Sequence, residues 1–222
     1  MLNYAYLISI SLFVLPYLFI FLFRKDLQRK MMWSSLLAML TMAFEFLFIP
    51  EYWHPITIFN LAPFEIEGFI FMFFAGGISS ACYDLIFNKK EILEKKRNIF
   101  KYSVLTIIPL SFLVTKSLFN FNISYHFCIA ILAGAIGICI TRKDLYKESI
   151  FGGLIFGFIY FLMFQISLHF FPNIISFWNI NNLSKIFIYG MPMEEIMLAM
   201  SFGALWSPLY SNIQNYRIVN KK

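Results

Sequence analysis

The sequence predicts an all-α integral membrane protein of seven transmembrane helices. Of its 222 residues 60% are hydrophobic and only 14% charged, and the mean hydropathy is +0.72. Apolar runs of about 20 residues alternate with short charged loops, the pattern of a multi-pass protein whose preferred solvent is lipid. The basic residues keep to those loops, so the formal charge of +6 reads as a topology signal and not as a nucleic-acid surface.

The first run, Leu2 to Phe23, is uncharged and, at about 1.5 Å per residue, crosses a hydrocarbon core roughly 30 Å thick. It has no basic n-region and no small-residue cleavage site, so it is expected to remain in the mature protein. After the basic loop Arg24–Lys30 the second helix runs from Met31 to Ile49, carries Glu45 and stops at Pro50. Glu51-Tyr52-Trp53-His54-Pro55 is an aromatic, turn-prone connection suited to the membrane interface.

Helix three runs from about Ile66 to Phe87, behind Pro63, with Glu65 and Glu67 at its entrance and Asp84 at its exit as an interfacial polar group. Asn88–Asn98 is a charged loop. Helix four, about Tyr102 to Phe119, contains Pro109 and ends beside Lys116, whose long side chain snorkels. Helix five, Ile123 to Thr141, carries Gly134 and Gly137, which permit close helix packing. Arg142–Lys147 is the next basic loop; helix six covers about Ser149 to Phe171, and Pro172–Gly190 is a long polar connection. Helix seven opens near Pro192, and Asn212–Lys222 is a polar, basic tail. Cys82, Cys128 and Cys139 lie inside apolar runs without metal-ligand or disulfide spacing and read as small buried hydrophobes.

Sixteen of the 18 Lys and Arg residues fall on one side of this plan, leaving only Lys116 and Lys185 on the other. The positive-inside rule then puts the N-terminus outside and the C-terminus in the cytoplasm, as befits a bacterial plasma membrane. The chain also repeats. Arg24-Lys25-Asp26-Leu27 recurs as Arg142-Lys143-Asp144-Leu145 at an offset of 118, and Glu67, Gly76 and Tyr83 recur as Glu194, Gly203 and Tyr210 at an offset of 127. Corresponding helices are four apart, so the copies run parallel about an axis along the membrane normal. The expected organisation is a first three-helix repeat over 1–98, a linking helix over 99–120 and a second repeat over 121–222.

Carboxylates at membrane depth are expensive and mark a functional site by default. The sequence places Glu194 and Glu195 in the first turn of the last helix, Glu67 at the repeat-equivalent position, and Glu65 and Glu45 at similar depth. A glutamate in a first turn also serves simply to cap free N–H groups and complement the helix dipole. A repeated pair at one depth argues for chemistry.

Pro192-Met193-Glu194-Glu195, echoed by Ile66-Glu67 in a parallel three-helix repeat, resembles the lycopene cyclase domain family. These are membrane-integral carotenoid cyclases, found as paired small subunits in some bacteria and fused to phytoene synthase in fungi. The run Glu51–Pro55 followed by Phe64 to Tyr83 is similar to bacterial members. The first half departs from the pattern, reading Pro63-Phe64-Glu65-Ile66-Glu67 where Pro-x-Glu-Glu is expected.

The resemblance implies redox-neutral cyclisation of the ends of lycopene to β-rings, with a lipophilic polyene as substrate and no cofactor. It implies Glu194 or Glu195 as acid, Glu67 as partner across the axis, Glu65 and Glu45 in support, and Tyr52, Trp53 and Phe71 lining the pocket. Association with itself or with other carotenoid enzymes is the expected partnership. A proton-coupled small-solute transporter is the alternative, since it shares the plan, but its broken helices should match between halves, and Pro16 and Pro109 do not. A retinal protein needs a lysine in the middle of the last helix, and none is there. An intramembrane Glu-Glu protease needs a nearby Arg and two helical histidines; the next Arg is Arg217, and His126 and His169 read as interface residues.

Overall fold

The computed structural model describes residues 2–49, 51–58, 65–94 and 100–221. Pro50, Pro63, Phe64 and the loop residues Lys95, Lys96 and Arg97 lie outside the described residues, as does Lys222.

The chain is mostly helical. The first expected span is two helices, α1 (Leu2–Ser11) and α2 (Val14–Phe23). Pro16 has no N–H to donate to the carbonyl four residues back, so the chain turns at Leu12 and Phe13 before α2 resumes. The second is α3 (Gln28–Leu40) followed by a 3-10 segment, Thr41–Leu47, which carries Glu45. Then come α4 (Ile66–Ile86), α5 (Val104–Leu118), α6 (Ile123–Thr141), α7 (Tyr146–Phe170) and α8 (Met193–Gln214). Among the described residues four stretches are long and apolar enough to cross a membrane: Tyr4–Phe23, Ile66–Ile86, Ile123–Thr141 and Lys143–Phe170. Helix α8 is as long, but Glu194, Glu195, Ser201, Ser207, Ser211 and Asn212 are all buried along it. Packed against α7, α6 and α4, it shows little of itself to solvent or lipid and does not need an apolar surface.

Two small sheets depart from the all-α expectation. Strand β1 (Lys89–Leu93), in the expected charged loop, pairs antiparallel with β4 (Tyr216–Asn220), in the expected tail. Strands β2 (Phe187–Ile188) and β3 (Met191–Pro192) form a hairpin that straddles the end of the expected polar connection and the expected start of helix seven. Its two turn residues, Tyr189 and Gly190, both have positive φ, the geometry that suits a two-residue hairpin.

The β1–β4 pairing makes the repeat visible. Asn88 and Asn215, 127 residues apart, end α4 and α8 in the left-handed conformation, and β1 and β4 follow at the same offset. The register is symmetric under that offset: Lys89 pairs with Asn220, its counterpart Tyr216 pairs with Leu93, and Glu91 faces its own counterpart Ile218. The two Arg-Lys-Asp-Leu motifs hold the strands. Arg24 grips both Asp26 oxygens, at 3.0 and 2.9 Å, and donates to the Lys89 carbonyl. Arg142 grips Asp144 at 2.9 and 2.7 Å and donates to the Tyr216 carbonyl at 2.7 Å. The Arg24 guanidinium holds the Asp26 carboxyl well below the usual carboxylate range.

Beneath this sheet lies an ion cluster that corrects the reading of Asp84 as an interfacial group. Asp84 is fully buried, and Lys30 Nζ meets its Oδ2 at 2.8 Å, Glu148 Oε1 at 2.7 Å and Glu91 Oε1 at 3.3 Å. Lys30 and Glu148 occupy equivalent positions of the two halves, at the 118 offset, so the repeat meets itself here through opposite charges.

Glycines set the closest helix contacts. Gly134 and Gly137 face Ile108 and Ile107 of α5, as their packing role predicts. A Cβ on Gly203 of α8 would sit 2.9 Å from the Gly152 carbonyl, the Gly153 Cα and the Phe156 Cβ of α7. Two of these are backbone atoms that do not move aside cheaply. Gly203→Ala is expected to cost about 1–3 kcal/mol by overpacking, read as a lower thermal midpoint in detergent.

Candidate active site

All five predicted glutamates are buried, and they gather at the end of the helices opposite the Arg24 and Arg142 motifs. Glu194 and Glu195 are the second and third residues of α8, where the unpaired N–H groups of a helix start favour negative charge. Glu67 holds the same place in α4, with Glu65 as its N-cap residue; Glu45 comes from the 3-10 turn after α3.

Their partners differ. Glu195 receives three donors: Tyr52 Oη at 2.6 Å and Trp178 Nε1 at 2.7 Å on one oxygen, and Tyr160 Oη on the other. Glu194 Oε1 accepts from the Ser184 amide at 2.7 Å and from Tyr125 Oη at 2.8 Å. Glu67 Oε1 accepts from the Ile58 amide at 2.7 Å, so both repeat-equivalent glutamates fasten the backbone that leads into their helices. Glu65 Oε2 accepts from Thr57 Oγ1 at 2.6 Å. Glu45 has one long contact, 3.5 Å from the Glu65 amide, and its Oε1 is buried with no hydrogen-bond partner among the described residues.

Around Glu195 the walls are aromatic. The predicted Trp53 packs edge-on against Tyr6 at 5.2 Å and lies 6.0 Å from Trp178 between ring centroids. The predicted Phe71 sits 5.3 Å from Phe13 and 6.0 Å from Tyr160. Phe164 closes on Trp178 at 5.4 Å. Tyr6, buried on α1, lies within electrostatic reach of Glu45, Glu65, Glu67 and Glu195. The segments bearing Tyr52 and Trp178 are tied by their backbones, His54 N to Phe177 O at 2.6 Å and Asn179 N to Tyr52 O at 2.9 Å.

Sequence reasoning missed Tyr6, Tyr125, Tyr160 and Trp178. Tyr160 lies 35 residues before Glu195 in the chain, and no local pattern marks it among the aromatic residues of α7. His169 is exposed at the end of α7, as an interface residue should be, whereas His126 is fully buried beside Phe112 and Phe121.

Comparison with known families decides the membership. The lycopene cyclase family model matches residues 3–95 and 122–213, one segment in each half and most of the chain. The chain belongs to the lycopene cyclase family. No curated protein and no solved structure matches it. Membership in the lycopene cyclase family, with four stretches among the described residues long and apolar enough to cross a membrane, identifies a membrane protein of carotenoid cyclase type and favours that chemistry over the transporter. The five glutamates and the aromatic residues around Glu195 lie within the two matched segments.

Proposed function

We propose that the protein cyclises the linear ends of lycopene, or of a close polyene relative, to β-rings by acid catalysis without redox change, as an intramolecular lyase. The observation that carries this reading is Glu195, a buried carboxyl with three donors inside an aromatic enclosure.

Cyclisation begins when an acid adds a proton to a terminal alkene and leaves a tertiary carbocation. The next double bond attacks that cation, forming the ring bond, and loss of a ring proton completes an isomerisation in which no atom is gained or lost. The cation must be stabilised without being trapped. Aromatic faces do this through their quadrupoles, and Trp53, Trp178, Tyr160 and Phe71 offer them. Sequence alone offers Glu194 or Glu195 as the acid; hydrogen bonding supports separating the two. Three donors and no acceptor complement an anion, which suits Glu195 to steady the cation and accept the ring proton. Glu194 and Glu67, each tied to a backbone amide, shape the entrance to their helices, and Glu65 braces that of the first half.

In this reading the chain crosses the bacterial plasma membrane seven times, with the N-terminus outside and the C-terminus in the cytoplasm. It is organised as 1–98, the linking helix 99–120, and 121–222; the symmetric β1–β4 register supports the parallel repeat. The substrate dissolves in lipid and enters sideways between helices. The protein works as a homo-oligomer or alongside other carotenoid enzymes.

The test is expression in a bacterial strain that accumulates lycopene, with chromatography of the extracted pigments. Monocyclic and bicyclic carotenes are the expected products. Unchanged lycopene, with the protein verified in the membrane, rejects the reading for this substrate.

A further inference from the structure

We infer that Glu45 is the proton donor, and that it supplies from the second helix of the first half the reacting carboxyl that the second half carries on its third helix as Glu195. This rests on the cyclase reading above.

The repeat supplies the first part of the argument. At the offset of 127 that aligns Glu67 with Glu194 and Asn88 with Asn215, the counterpart of Glu195 is Gly68. At the offset of 118 that aligns Arg24 with Arg142, the counterpart of Tyr160 is Met42. The contact between Tyr160 and Glu195 therefore has no chemical equivalent in the first half: a thioether and a glycine stand where a phenol and a carboxyl stand in the second.

The space beside Gly68 is nonetheless occupied by a carboxyl. A Cβ built there would meet the Met42 methyl and would lie 3.3 Å from each carboxylate oxygen of Glu45. Glu45 has thus filled, from the opposite helix, the position that a glutamate at 68 would take. It is 4% exposed, and its Oε1 has no hydrogen-bond partner among the described residues. Glu67 Oε2 and Glu194 Oε2 are also buried without a partner among the described residues, but each of those carboxyls is anchored through its other oxygen to a backbone amide at 2.7 Å, whereas Glu45 has only its 3.5 Å contact. A buried carboxyl so weakly held is costly and needs a reason. An alkene to be protonated is one, because it offers no hydrogen bond until the proton moves.

The two carboxyls then divide the work. Glu195, held by three donors, is arranged as the anion. Glu45, with one oxygen unengaged and Glu65 and Glu67 close enough to act on it electrostatically, is arranged as the acid. The O–H bond of Glu45 breaks as the terminal C–H bond forms. The cation closes the ring, and the ring C–H pair becomes the new double bond as its proton passes to Glu195. Returning one proton from Glu195 to Glu45 resets the site without net uptake.

The test compares wild type, Glu45→Gln and Glu45→Asp, each as the full chain in lycopene-accumulating cells, and measures cyclised carotene per unit of membrane protein. Lycopene co-purified with the detergent-extracted protein reports binding. Glu45→Gln is expected to lower ring formation by about 100-fold or more, the usual contribution of a general acid, with lycopene co-purification unchanged. Glu45→Asp, still an acid, should return part of the activity. Glu45→Gln with more than about a tenth of the wild-type product overturns the inference. Loss of bound lycopene in Glu45→Gln also overturns it, because the role is then structural. If wild type cyclises lycopene while Glu45→Gln does so as well, the inference falls and the cyclase reading stands. If wild type forms no ring, both fall.

Discussion

Glu195→Gln is expected to reach the membrane in normal amount and to form ring products about 10²- to 10³-fold more slowly than wild type, the scale on which removing a preorganised electrostatic stabiliser acts. The amide keeps the shape and two of the acceptor directions but loses the charge that faces the cation. Removing one donor at a time is a milder change. Tyr52→Phe, Tyr160→Phe and Trp178→Phe each delete one hydrogen bond to a carboxylate, an interaction worth about 1.5–3 kcal/mol, so each should slow turnover by roughly tenfold or more. Pigment chromatography read against membrane protein level decides the result. Full activity in Glu195→Gln would remove the carboxylate from the mechanism.

Lys30→Met is expected to be the most destabilising of the substitutions considered. It leaves Asp84 and Glu148, both within 1% of complete burial, and the partly exposed Glu91 without their shared cation. Breaking a buried ion pair by deleting one partner costs about 3–5 kcal/mol, a large part of the stability of a typical domain. The expected outcome is a thermal midpoint in detergent lowered far beyond that of Gly203→Ala, or failure to accumulate. Neutralising the carboxyls as well, in Lys30→Met with Asp84→Asn and Glu148→Gln, should recover much of the loss, because the cost comes from the stranded charges. A single variant as stable as wild type would show that the cluster is better solvated than its burial implies.

An uninterrupted apolar run and a repeated motif were legible in the sequence; the break between α1 and α2 and the 3-10 end of the second helix were not. Helix α6 occupies the residues its apolar run marks, and the recurrence of Arg-Lys-Asp-Leu and of Glu67 as Glu194 anticipated the equivalences seen in the β1–β4 register. Strand β1 was illegible for a physical reason: Lys-Lys-Glu-Ile-Leu lacks the alternation of a half-buried strand, and the partner that makes it one lies 127 residues on. The kink at Leu12 follows from Pro16, but its place depends on where α1 ends. The candidate site was half legible. Carboxylates in apolar helices stand out because lipid makes them costly, whereas Tyr160 and Trp178 sit in aromatic surroundings where no local rule separates a donor from packing. The exchange of a carboxyl between Gly68 and Glu45 needed coordinates, since it links two elements that the repeat aligns at different offsets.

The sheet formed by the charged loop and the tail bears on how such a chain can be divided. Each half contributes one strand and leaves an open edge without the other, so neither is self-sufficient there. In two copies of the first half each Lys30 would keep Asp84 and Glu91 of its own half but lose Glu148, and two copies of the second would bring Glu148 against Glu148 with no Lys30 between them. In the second-half pair like charges would oppose each other, while the mixed pairing places ammonium against carboxylate at 2.7 Å. If the halves were made as separate polypeptides, this contact would count against a homodimer of the second half and favour its pairing with the first, a recognition device that covalent linkage makes unnecessary but does not erase.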